Sequence, residues 1–121
     1  MLTHSRSRRV FAYTAPCDMR KHYDSLSVLV TRDMGKDVLR GDLFLFVGRN
    51  RKRAKVLYFD GTGLCLFAKR LERGHFAAPW QGRSELTESE LSLLLEGAEM
   101  VGRLALSPPV VSVSDRQVVF R

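Results

Sequence analysis

The chain has 121 residues, 45% of them apolar and 27% charged, which suffices for one folded core and argues against a second domain. No apolar run approaches the roughly 18 residues needed to cross a membrane, the charged start is followed by no apolar stretch of a secretory signal, and two cysteines, Cys17 and Cys65, are too few for a disulfide framework. A cytoplasmic protein is expected, with a net charge of +7 that is unevenly spread: residues 1–83 carry 17 basic and 7 acidic side chains, residues 84–121 carry 3 and 6. Such a surplus favours nucleic acid, because Lys and Arg displace condensed counterions along a phosphate backbone.

In chain order, residues 1–7 read as a flexible basic N-terminus. Residues 8–14 are β-branched and aromatic enough for a first strand, which Pro16 stops. Asp18 is placed as an N-cap, and Met19, Tyr23, Leu26, Leu29 and Val30 recur at helical spacing until Gly35. Residues 42–47, 55–59 and 64–68 are short apolar runs between turn residues, which predicts three consecutive antiparallel strands. Near-continuous apolarity in the first two of these implies at least partial cover on both sheet faces. Thr87 and Glu90 have the spacing of a capping box, flanked by the staple pair Leu86 and Leu91. Leu91, Leu94, Leu95, Ala98 and Val101 continue as a stripe that Gly102 can close. Residues 107–121 form a Pro/Val-rich tail, with 110–120 open between an extra strand, a partner-binding tail and an unstructured segment.

The expectation is therefore one α+β domain over residues 8–106: strand, helix, three-stranded meander, helix. Both helices are expected on the same sheet face.

The connection after the first meander strand carries Arg49, Arg51, Lys52, Arg53 and Lys55, with no acid among them. On a hairpin tip such cations can grip successive phosphates. Lys69, Arg70, Arg73 and His75 follow the third meander strand, whose antiparallel course brings them to the same sheet end. A solvated turn that discourages edge pairing is the plainer alternative. Among the aromatics, Phe76 and Trp80 stand out for lying in a polar loop, where bases could stack.

Enzyme and metal readings find little support. Asp18, Asp60 and Glu72 each have another use, as cap, turn residue and ion-pair partner. The pairs Cys17/His22 and Cys65/His75 match no zinc spacing, and Cys65 reads as a buried thiol. Asp60-Gly-Thr-Gly63 lacks the lysine and helix of a phosphate loop. No catalytic residue, metal or cofactor is expected.

Several strings occur together in order: Cys17-Asp-Met-Arg-Lys21, Gly41-Asp-Leu-Phe-Leu-Phe46, Lys55-Val-Leu-Tyr-Phe-Asp-Gly61, Gly63-Leu-Cys-Leu-Phe-Ala-Lys-Arg-Leu-Glu-Arg-Gly74 and Leu93-Leu-Leu-Glu-Gly97. Across residues 10–102 the chain resembles the TnpB-type accessory protein of the insertion-sequence-66 transposons, which is unrelated to the RNA-guided nuclease sharing that label. The resemblance implies a bacterial mobile-element protein that assists a separate transposase. It assigns tasks to none of Asp18, Arg20, Lys21, Asp24, Lys69, Arg70, Glu72 and Arg73, although these match the family pattern. His22-Tyr23, Tyr58-Phe59 and Ala78-Pro79-Trp80 depart from it.

The expected function is accessory DNA binding in transposition. Arg20, Lys21, Arg49, Arg51, Lys52, Arg53, Lys55, Lys69, Arg70 and Arg73 are the candidate contacts to transposon-end DNA. The alternative is an adaptor docking on the transposase through the acidic second helix, Trp80 and the tail.

Overall fold

The three central apolar runs form the meander, and each strand is fixed by what covers it. In the computed structural model, which describes residues 8–97 and the short strands at 100–101 and 104–105, β1 (Val10–Ala12) is followed by α1 (Tyr23–Arg32) and a 3₁₀ turn at Val38–Arg40. Strands β2 (Leu43–Val47), β3 (Arg53–Phe59) and β4 (Leu64–Arg70) come next. A 3₁₀ turn at Pro79–Gln81, β5 (Glu85–Leu86), α2 (Glu88–Leu95), β6 (Met100–Val101) and β7 (Leu104–Ala105) complete the order.

Five strands make one mixed sheet in the order β4-β3-β2-β1-β5, and β6 and β7 pair separately. The meander is antiparallel as expected, but β1 runs parallel to β2, with Phe11 beside Phe44. A parallel neighbour needs a crossover, and α1 lies within that connection.

All five residues of β2 are buried, so its continuous apolarity reflects a strand covered on both sides. Alternation sorts the core into two layers. Val10, Ala12, Leu43, Leu45, Val47, Ala54 and Val56 pack with Leu91, Leu94 and Leu95 of α2. Phe11, Phe44, Phe46 and Leu57 pack with Leu26, Leu29 and Val30 of α1. The helices thus cover opposite faces, not the same one, because neighbouring residues of every central strand are apolar and each face needs its own cover.

Two helix ends also differ from expectation. Asp18 does not cap α1: its carboxylate accepts from the Arg20 amide at 2.9 Å in a preceding turn, and the helix begins after His22, whose N–H donates to Ser25 Oγ. Gly35 does end it, at φ 66 with the Lys36 amide on the Val30 carbonyl. α2 starts on the expected capping box, Thr87 Oγ1 accepting from the Glu90 amide at 3.1 Å and Glu90 Oε1 from the Thr87 amide at 2.9 Å. It stops after Leu95, with Gly97 at φ 97, and Val101 pairs with Leu104 in a hairpin. The helix therefore ends about two turns before Gly102, and the expected stripe residue Ala98 and stop residue Gly102 lie outside the described residues. The expectations for residues 1–7 and 107–121 fall outside the described residues.

Candidate nucleic-acid interface

The β2–β3 hairpin tip is the centre of the basic region. Gly48 N–H donates to the Arg53 carbonyl and Arg51 N–H to the Gly48 carbonyl, closing a tight turn with Asn50 Oδ1 accepting from the Lys52 amide. Arg51 lies at φ 59, a left-handed conformation normally left to Gly or Asn. The segment after β4 braces this tip: the Arg51 and Lys52 carbonyls accept from the amides of Phe76 and Leu71, and Lys52 Nζ donates to the Gly74 carbonyl. Phe76 is fully buried and Trp80 packs against the α2-side core, so Phe76 is an anchor of the loop and not a stacking platform.

Antiparallel register places Arg53 directly across from Arg70 and Ala54 across from Lys69. Like charges so placed repel. Glu72 meets Arg70 at 3.1 Å and offsets part of that repulsion. The segment after β1 joins the same end through a parallel bridge between Cys17 and Gly48, with the Cys17 amide on the Val47 carbonyl. This brings Arg20 and Lys21 beside the hairpin. A Cβ on Gly48 would lie 2.8 Å from Met19 Cγ, so this close approach needs glycine. A groove of about 490 Å³ opens here, lined by Met19, Arg53, Lys55, Lys69, Arg70 and Glu72 among others.

The cations at this end have different surroundings. Lys55 is 8% exposed and its ammonium donates to the Lys21 carbonyl at 2.7 Å, which ties the 18–22 segment to the sheet. Lys69 Nζ donates to the Leu95 carbonyl at 2.8 Å, at the C-terminal end of α2 where a cation suits the dipole. Neither tie was legible in the sequence, since each joins residues far apart in the chain. Arg20 pairs with Asp18 at 2.9 Å while its side chain stays exposed, and this guanidinium holds the Asp18 carboxyl well below the usual range. Among the described residues no carboxylate pairs with Lys21, Arg49, Arg51, Lys52, Arg53 or Arg73.

The cysteines are apart. Cys17 is buried, and burial pushes its thiol up to about 11. Cys65 is half-exposed, not buried, and its thiol donates to Asp60 Oδ2 at 3.5 Å. Among the described residues no three His, Cys, Asp or Glu side chains converge to hold a metal ion, and no helix is long and apolar enough to cross a membrane.

No solved structure matches the chain. Two curated relatives come from Sinorhizobium fredii (strain NBRC 101917 / NGR234). "Uncharacterized protein y4hO" is 39% identical over 101 residues, covering 82% of this chain and 88% of the relative. "Uncharacterized protein y4jC" is 34% identical over 101 residues, covering 82% and 86%. The family described as "IS66 Orf2 like protein" matches residues 8–103, which span β1 to β6 and the whole basic sheet end. The chain belongs to this IS66 Orf2-like family of transposition-associated accessory proteins.

Proposed function

We propose that the protein assists transposition by holding DNA at the basic end of its sheet, without catalysing strand chemistry itself. The observation that carries this reading is the gathering of Lys21, Arg49, Arg51, Lys52, Arg53 and Arg73 at one sheet end with no carboxylate partner among the described residues. Concentrated, unneutralised cations raise the local potential and reward a polyanion. The left-handed Arg51 supports the same reading, because a backbone strained at a turn that glycine would suit better is the kind of feature retained for a task.

An adaptor role finds less support. Large exposed apolar side chains among the described residues are Tyr23 and Val28 on α1, Leu39 on a 3₁₀ turn and Leu93 on α2, spread over both faces. Partner docking normally asks for a contiguous patch.

A mobility-shift titration with transposon-end duplex tests the proposal. A shift at low salt is expected, and charge reversal at Arg51, Lys52 and Arg53 together should abolish it. Unshifted DNA at low salt would refute the reading.

A further inference from the structure

We propose that β4 is the interface of a two-fold dimer, in which two copies of the chain join their sheets edge to edge through antiparallel β4 strands.

The two edges of the sheet are built differently. β5 is two residues long, a common way to blunt an edge. β4 is seven residues long, contains no Pro or Gly, and pairs with β3 in unbroken one-to-one register without a bulge. Its first five residues, Leu64, Cys65, Leu66, Phe67 and Ala68, carry no charge. An edge of this length and polarity is a template for another strand.

Which groups face outward follows from the ladder. The Leu71 amide donates to the Lys52 carbonyl and the Gly63 carbonyl accepts from Asp60, so odd-numbered residues point their backbone groups at β3. Alternation then turns the N–H and C=O of Leu64, Leu66, Ala68 and Arg70 outward. Among the described residues these outward groups have no backbone partner, since β6 and β7 form their own sheet.

The occupant is a second copy because the strand complements itself in only one direction. Parallel pairing would stack Arg70 on Arg70 and Lys69 on Lys69, beside an Arg53 already opposite Arg70. Antiparallel pairing centred on Phe67 sets Arg70 against Leu64, Lys69 against Cys65 and Leu66 against Ala68. It also brings the two Phe67 rings together at a non-hydrogen-bonded position, where cross-strand aromatic pairs are favourable. All four outward residues of each strand then exchange hydrogen bonds, and the charged ends lie far apart. The joined sheet has a basic hairpin at each of two opposite ends. This proposal does not depend on DNA binding.

The test uses the whole chain without DNA. Sedimentation equilibrium should give a mass near twice 13.8 kDa at high concentration and dissociation on dilution. Ala68→Pro removes one outward donor and leaves the β3 ladder intact, so a folded A68P protein should be monomeric. Hydrogen exchange on the unsubstituted protein gives a second readout should that variant not fold. The Leu66 and Ala68 amides should exchange at least about a hundredfold more slowly in the dimer than after dilution. A monomeric mass at every concentration would overturn the proposal. So would a dimer whose Leu66 and Ala68 amides exchange freely, or one that survives in folded A68P protein.

Discussion

The two ends of the sheet use similar residue types to opposite purposes. At the far end, three of the cations have partners: Arg9 pairs with Glu85 at 3.0 Å and lies over the Phe11 ring, Lys36 lies over the same ring, and Arg8 over Tyr58. The turn there, from Asp60 to Gly63, satisfies itself. Asp60 Oδ1 accepts from the amides of Thr62 and Gly63 and from the Thr62 hydroxyl, which lowers its carboxyl to about 2. Glycine takes the positive φ, at Gly61. At the basic end an arginine takes it, and several cations have no carboxylate partner among the described residues. One turn is composed for the fold, the other against it, and that contrast is what the proposed DNA contact rests on.

Breaking the comparison at the basic end has the largest expected effect. Charge reversal at Arg51, Lys52 and Arg53 should weaken DNA binding at least about a thousandfold, since each loses a phosphate contact and gains a repulsion. Reversal at the exposed Arg40, measured in the same shift assay, should change affinity less than about threefold.

Arg51→Gly separates stability from binding. Relief of the left-handed arginine outweighs the added chain entropy, so denaturant unfolding should show a gain of about 0.5 kcal/mol. Binding should weaken about tenfold through one lost phosphate contact. A variant that loses stability would mean the turn is not strained.

Glu72→Gln frees Arg70 from its carboxylate and should tighten binding two- to threefold, roughly the worth of an exposed ion pair. Fluorescence anisotropy resolves a change of that size.

The smallest effect belongs to the far turn. Asp60 has a folded value depressed by its hydrogen bonds. Its contribution is fully present above the ordinary carboxylate value of about 4 and is lost as pH falls through about 2. Asp60→Asn should therefore flatten the acid limb of thermal stability over that window and leave DNA binding unchanged.

Much of this contrast was legible in the sequence. The meander strands announced themselves as apolar runs between turn residues, and antiparallel order alone brought Arg53 and Arg70 to one end. Thr87 and Glu90 marked the start of α2 because a capping box is local chemistry. What did not show were relations without a local signature. β1 is only three residues long, too short for its alternation to reveal that Phe11 and Val10 face different helices. The helix spacing from Met19 onward ran through a turn that Asp18 closes on Arg20, so the helix start moved to Tyr23. Lys55 read as one more cation in a basic run, although its strand position turns it under the Lys21 carbonyl. Phe76 in a polar loop looked available, yet Phe76, Ala77, Ala78 and Pro79 are all buried, and that short apolar string was the signal.

The salt dependence of binding tests the central claim most directly. Six cations without a carboxylate partner among the described residues imply a slope of log K against log salt of about −5, with about a thousandfold loss of affinity between 50 and 200 mM. Arg51→Ala with Arg53→Ala should reduce the magnitude of that slope by about 2. Lys36→Ala with Arg40→Ala at the far end should leave it unchanged. A slope unaffected by the first pair, or reduced equally by both, would contradict the assignment of DNA to the basic end of the sheet.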